Sequence, residues 1–377
     1  MKLIRSDVTG RDAIRETFAA ARAAACGALV ERDDEVDLAL TALVAGEHAL
    51  LVGPPGCGKS LLLDTLLALT GGTKFSVLLT KFTVPEEVVG PVSLAGLKAD
   101  RYVRVTAGKL PEAEYCFLDE VFKGSSAILN TLLKVLNERV YDAGGGPRPV
   151  PLKLCVAASN EWPCPETGKE LAALFDRFLL RTAVSPVRTA AGRKRLLWGD
   201  VPRPAGPVLS PADVDAARAA AAGLPWSADA AEALEVVLRE LAKEGVRPGD
   251  RRQRKTVGAV RAYAYLAGAD EVRPEHLEVA RHCLWDDPQE QPQVAARVLA
   301  KVADPPGMRV AQLLLEADQV AAGADARDLA AAATAAAKLG EIDRKLSAVP
   351  ADPRAERARA HVREQLKALR LASLDAV

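Results

Sequence analysis

One octapeptide limits what this chain can fold into more than any other feature. Gly53-Pro54-Pro55-Gly56-Cys57-Gly58-Lys59-Ser60 matches G-x-x-x-x-G-K-[ST]; it follows the apolar run Ala49-Leu50-Leu51-Val52 and precedes a helical pattern from Ser60 to Leu69. Strand, glycine-rich loop and helix in that order make a cradle for a phosphate chain. The glycines let the backbone wrap so that its N–H groups point at phosphate oxygens, and the helix N-terminus adds partial positive charge. Lys59 is expected to reach the β- and γ-phosphates of a nucleotide, Ser60 to ligate Mg²⁺, and Leu61 to complete the contacts at the helix start. Cys57 stands at a variable position of the motif, where a redox role is a weaker alternative to plain packing.

Further along, Cys116-Phe117-Leu118-Asp119-Glu120 is an apolar strand that ends in two acids. Asp119 suits a hold on the same Mg²⁺, and Glu120 is placed to polarise an attacking water, which favours hydrolysis over simple nucleotide binding. Leu152 to Ala158 is another apolar run and closes on Ser159-Asn160. The Asn160 amide is expected to orient the water or touch the γ-phosphate; capping a loop is the alternative. Leu174-Phe175-Asp176-Arg177-Phe178 sets an arginine at a helix end before a fifth strand. The planar fork of Arg177 suits stabilisation of a transferring phosphate across a subunit boundary, with an intrachain ion pair as the other reading.

Five short apolar runs, at Ala49–Val52, Phe75–Thr80, Tyr115–Leu118, Leu152–Ala158 and Phe178–Val184, are mostly separated by helical patterns. Such alternation predicts an α/β fold whose parallel sheet is covered on both faces and binds ligands at the carboxyl ends of its strands. From about 187 to 300 strand patterns vanish and helix starts appear at Ser210-Pro211, Ser227 and Pro274-Glu275. Beyond Pro305-Pro306-Gly307 the spacing of Leu339, Ile342, Leu346 and of Val362, Leu366, Leu369 predicts a hairpin of amphipathic helices broken at Pro350–Pro353. The expected domains are therefore 1–186, 187–300 and 301–377, a division that 377 residues readily supply.

Composition removes several other classes. Fifty basic and fifty acidic residues cancel, so the chain has no overall field to attract nucleic acid or an anionic membrane. Six cysteines without a C-x-x-C pair, several inside apolar runs, are expected to be reduced and buried. Four scattered histidines give no zinc motif. No window approaches a membrane span, and Met1-Lys2-Leu3-Ile4-Arg5-Ser6-Asp7 lacks a signal peptide's apolar stretch, so a cytoplasmic location is expected.

These elements in this order resemble the AAA+ superfamily, and the detail resembles its MoxR branch, in particular the RavA-like group. The narrower likeness rests on Leu29-Val30-Glu31-Arg32 before the loop, the run Phe82 to Pro91, Ile128 to Leu133 with Asn137-Glu138-Arg139, and Ala157 to Glu161. It covers roughly residues 10–290. The resemblance implies an AAA+ P-loop αβα core with a five-stranded parallel sheet, an all-helical lid, a helical C-terminal extension and a hexameric ring. It makes Val30 an adenine contact, Asn160 the sensor-1 residue and Arg177 an arginine finger for the neighbour's ATP. Gly249-Asp250-Arg251-Arg252 is similar to a sensor-2 start, with Arg251 favoured by register and Arg252 open.

Two inserts fit the same branch: residues 91–110, where Tyr102 to Val105 are expected to form a strand, and a hairpin over 139–152 with a flexible tip at Gly144-Gly145-Gly146. The resemblance also implies a partner with a von Willebrand factor A (VWA) domain and a protein client to be remodelled. Two other functions stay open. One is a nucleic-acid-stimulated motor, motivated by the basic run Arg251 to Lys255 and disfavoured by neutral charge and 4% aromatic content. The other is a scaffold whose assembly ATP controls.

Overall fold

The computed structural model describes residues 2–142, 146–163, 169–202, 204–324, 329–349 and 353–374. Its strands are β1 (Ala49–Val52), β2 (Lys74–Leu78), β3 (Tyr115–Asp119), β4 (Val140–Asp142), β5 (Pro147–Pro149), β6 (Leu154–Ser159) and β7 (Leu180–Ala183). Five of them form one sheet in the order β2-β3-β6-β1-β7, and every neighbouring pair is parallel. All five expected runs are strands, Ala49–Val52 with unchanged bounds and the other four shifted by one or two residues at their ends. The near-continuous apolar sequences of β1 and β6, buried at every residue, follow from their position, since central parallel strands are covered on both faces. Edge strand β2 instead has an alternating exposure pattern.

Register lines up the strand ends: Val52 of β1 lies beside Ser159 of β6 and Ala183 of β7, and Leu118 of β3 beside Ala157. The loops after β1, β3, β6 and β7 therefore leave one edge of the sheet together. That edge carries the candidate site.

The helices are α1 (Lys2–Ala28), α2 (Asp33–Ala45), α3 (Lys59–Leu69), α4 (Pro85–Val89), α5 (Leu94–Lys98), α6 (Ser126–Glu138), α7 (Lys169–Arg177), α8 (Ala190–Trp198), α9 (Pro211–Ala222), α10 (Ala228–Lys243), α11 (Asp250–Leu266), α12 (Gln291–Ala303), α13 (Pro306–Ala322), α14 (Leu329–Ser347) and α15 (Pro353–Leu374). Local chemistry sets their ends. At the start of α9 the Ser210 hydroxyl accepts from the Asp213 N–H while the Asp213 carboxylate accepts from the Ser210 N–H, with Pro211 in the first turn. Ser227 caps α10 in the same sense. Gly46 closes α2 in the left-handed region at φ 71°. The expected helix start at Pro274 opens a 3₁₀ helix, Pro274–His282.

Two inserted segments differ in regularity. β4 and β5 pair antiparallel, Tyr141 opposite Arg148, as the expected hairpin; residues 143–145, with Gly144 and Gly145 of the expected tip, lie outside the described residues. Residues 102–105 form no strand: a single antiparallel bridge joins Arg104 to Val92, and the short helix α5 lies between them. With Val105 N–H donating to Pro91 O at 2.8 Å and Ser93 N–H to Val103 O at 2.7 Å, the segment folds back on itself after one bridge.

The chain divides into two compact units. One comprises Met1–Trp226, Arg247–Val272 and His282–Pro292, and holds the sheet with α1 to α9 and α11. The other comprises Ser227–Val246, Arg273–Arg281 and Gln293–Val377. From 187 to 300 the described residues contain helices and isolated bridges but no strand. In the second unit α13 joins α14 and α15 in one apolar cluster of Val310, Leu313, Ala317, Leu339, Ile342 and Val362, so the expected hairpin is two sides of a three-helix bundle. Pro350 of its connection lies outside the described residues.

Candidate nucleotide site

The loop between β1 and α3 is held by close backbone approach. Gly53 N–H donates to Ser159 O at 3.1 Å, and Val184 N–H to Val52 O at 2.7 Å. A Cβ on Gly53 would stand 2.2 Å from Val184 O, so glycine is demanded here by packing. Gly56 and Gly58 face open space but adopt φ of 82° and 77°, so there the demand is conformational. Helix α3 begins without a side-chain cap, which leaves its first-turn N–H groups for an anion. Pro54, Pro55, Gly56, Ser60 and Leu61 are exposed along the crest, whereas Cys57 and Lys59 are buried.

Lys59 is 7% exposed, and its ammonium donates to Gly53 O at 2.6 Å, Pro54 O at 3.0 Å and Asn160 Oδ1 at 3.0 Å. The other half of the Asn160 amide donates to Glu120 Oε1. Ser60 Oγ donates to Asp119 Oδ2 at 3.2 Å, and Glu120 N–H to Asp119 Oδ1 at 3.0 Å. Glu120 adopts φ 51°, a left-handed conformation that costs a non-glycine residue about 1 kcal/mol and turns its carboxylate back over the strand end. Its Oε2 lies 3.2 Å from Lys123 Nζ. Five residues from three separate stretches of the sequence thus form one connected polar cluster on the edge made by β1, β3 and β6.

The donor set fits Mg²⁺. A hydroxyl and a carboxylate are hard oxygen ligands, and Mg²⁺ keeps several waters and takes few protein groups. The described residues contain no cluster of three or more His, Cys, Asp or Glu that would hold a softer or more protein-ligated ion.

A second arrangement, just before the loop, was not legible beyond the segment Leu29 to Arg32. Arg32 is buried, and its Nη2 donates to Cys57 O and Ser185 O, each at 2.8 Å. Glu31, at φ 54°, accepts from Arg188 N–H at 2.7 Å and Thr189 N–H at 3.0 Å, at the start of α8. Burial raises the Glu31 carboxyl, but the bonds from Arg188 and Thr189 outweigh it and hold the group below the usual carboxylate range. A Cβ on Gly192 would come within 2.0 Å of Glu31 Oε1, so the first turn of α8 is matched to this carboxylate. Val30, buried at 8%, precedes the pair.

Arg177, Arg251 and Arg252 lie elsewhere. Arg177 precedes β7 and Asn137 lies in the last turn of α6, so both mark the amino edge of the sheet, opposite the loop. Arg177 Nη1 donates to Asp176 Oδ2 at 3.0 Å, Arg251 donates to Asn137 Oδ1, and Arg252 is buried against the carbonyls of Leu179 and Cys283. None of the three shares the polar cluster of its own chain. Cys26, Cys57, Cys116, Cys155 and Cys283 are free thiols; Cys164 lies outside the described residues.

Comparisons with known proteins bear on the family and the fold. A family model described as the MoxR domain of MoxR–vWA–β-propeller ternary systems matches residues 16–200, and an AAA lid domain model matches residues 230–298. An uncharacterised protein of Methanocaldococcus jannaschii is 37% identical over 270 residues, 71% of each chain. The chaperone MoxR1 of Mycobacterium tuberculosis is 27% identical over 194 residues, 49% of each chain. A crystal structure from Cytophaga hutchinsonii described as a candidate ATPase superposes with a TM-score of 0.65 at 16% identity, covering 80% of this chain and 99% of that one, which shows a shared fold.

Proposed function

The chain belongs to the MoxR family of AAA+ ATPases, and from that premise we propose that it spends ATP to remodel protein clients. The observation that carries the catalytic part is the cluster joining Lys59, Asn160 and Glu120, with Ser60 and Asp119 beside it. In this reading the loop 53–61 and Lys59 bind the phosphates, Val30 lies against the base, and Ser60 with Asp119 holds Mg²⁺. Bound there, Mg²⁺ neutralises charge on the phosphate oxygens. Glu120 takes a proton from the attacking water, and Asn160 fixes the direction of the Glu120 carboxylate. Chelation should abolish turnover and added Mg²⁺ restore it.

The position of Arg177 at the opposite sheet edge supports a role on a neighbour's nucleotide, within a homo-oligomeric and, by resemblance, hexameric ring. Arg251 is the sensor-2 candidate; burial of Arg252 under backbone carbonyls favours that choice. We retain the RavA-like assignment, the domain division at 186 and 300, and a cytoplasmic location in the same proposal. No helix of the described residues is long and apolar enough to cross a membrane.

The description of the matched MoxR model supports a VWA-domain partner. Hydrolysis should rise when a VWA protein encoded beside this chain is added; no change, or stimulation by DNA instead that fades steeply with salt, would contradict the proposal. The basic run offers little to a nucleic acid, because Arg252 faces Asp176 and Asp286, and Lys255 is paired with Glu47.

A further inference from the structure

One carboxylate touches both Arg177 and helix α11. Asp176 Oδ2 accepts from Arg177 Nη1 at 3.0 Å, and Asp176 Oδ1 from Arg252 Nη2 at 3.2 Å. Arg252 has little freedom to turn away. It is 3% exposed, donates to Leu179 O at 3.1 Å and Cys283 O at 3.0 Å, and faces Asp286 Oδ1 with its Nε at 3.1 Å.

A second guanidinium holds the same loop from the sheet side. Arg181 of β7, 1% exposed, donates to Phe175 O and Phe178 O at 2.8 Å each and stacks 3.7 Å from the Phe175 ring centroid. Between them Arg181 and Arg252 engage the carbonyls of Phe175, Asp176, Phe178 and Leu179. The short segment that presents Arg177 is therefore fixed by two buried cations, one of which belongs to α11, inside the span matched by the lid model. Burial alone would raise the Asp176 carboxyl, but Arg252, with Arg181 and Arg177, holds it below the usual carboxylate range. The bridge is ionic on both sides.

We propose that Asp176 is a positioning residue that couples α11 to Arg177, so that displacement of this lid helix redirects the arginine offered to the neighbouring subunit. The inference rests on the reading of Arg177 as a group that acts on the neighbour's ATP. If Asp176 were only a surface ion-pair partner, its loss would alter stability and leave turnover alone.

The test is steady-state ATP hydrolysis by the full chain, with melting temperature recorded for each variant. Asp176→Asn should lower kcat about tenfold with KM within about twofold, and Asp176→Glu should recover part of the loss. Asp286→Asn removes the other carboxylate on Arg252 without touching Arg177, and its kcat should stay within about twofold of wild type. In the Arg177→Ala background Asp176→Asn should add nothing. If Arg177→Ala lowers kcat and Asp176→Asn lowers it by a further factor in that background, the coupling is overturned while the reading of Arg177 stands. If Arg177→Ala leaves kcat unchanged, that reading falls and takes the coupling with it. If Asp176→Asn does not fold, Asp176→Glu alone decides, since full activity with unchanged response to Arg177→Ala would contradict a geometrically exact bridge.

Discussion

Asn160 meets Lys59 at 3.0 Å, amide oxygen to ammonium, and turns the nitrogen of the same amide to Glu120 Oε1. Only this orientation satisfies both neighbours, because the reversed amide would set donors against the ammonium and oxygen against the carboxylate. One side chain just after β6 therefore fixes the relation between a cation after β1 and an acid after β3.

Asn160→Asp keeps the shape but sets a second carboxylate against Glu120. The Glu120 carboxylate then loses the N–H donor that directs it and meets a like charge instead. We expect kcat to fall roughly 10²-fold with a small change in KM. Steady-state kinetics across pH would check this; wild-type turnover would show that the contact is not used.

Gly53→Ala tests the packing of the loop. The added methyl has no room because Val184 O would lie 2.2 Å away. Either the loop or the end of β7 must move, at about 1–3 kcal/mol of stability. Denaturation and ATP titration should both report the change, and an unaltered affinity would mean the loop tolerates displacement.

Glu35 makes stability depend on pH. Burial pushes its carboxyl up to about 7, against its own backbone and Arg32, which pull it down. A raised carboxyl contributes stability that is complete below the ordinary glutamate value of about 4.3 and is lost as pH rises through the folded value. Glu35→Gln should therefore gain on wild type at pH 8 relative to pH 5, by at most about 3 kcal/mol. Melting temperatures at the two pH values decide it; a gap equal to that of wild type would contradict the assignment.

Glu31→Ala removes the acceptor for two N–H groups at the start of α8. The loss should be about 1–2 kcal/mol, as for an N-cap. Because the same segment carries Val30 and Arg32, KM for ATP should rise as well. A lower melting temperature with unchanged KM would confine Glu31 to a structural role.

The sheet and its loop were legible because central parallel strands are continuous apolar runs and the phosphate loop needs fixed residue types at fixed spacing. Asp119, Glu120 and Asn160 could be found because each ends such a run. Residues whose meaning depends on distant backbone were not legible. Nothing local tells Arg252, buried under carbonyls some seventy residues away, from exposed Arg251 beside it. Arg32 was visible only as part of a segment, since its partners Cys57 O and Ser185 O are carbonyls that every residue possesses. The strand expected at 102–105 failed because alternating apolar residues supply a face without a neighbouring strand to pair with it.

In the proposed mechanism the cluster around Glu120 hydrolyses ATP rather than merely holding it. The direct measurement pairs nucleotide binding with turnover in wild type, Glu120→Gln and Lys59→Ala. Glu120→Gln should bind ATP with wild-type affinity and lose at least about 10²-fold in kcat, whereas Lys59→Ala should lose both. Full turnover in Glu120→Gln would contradict the account.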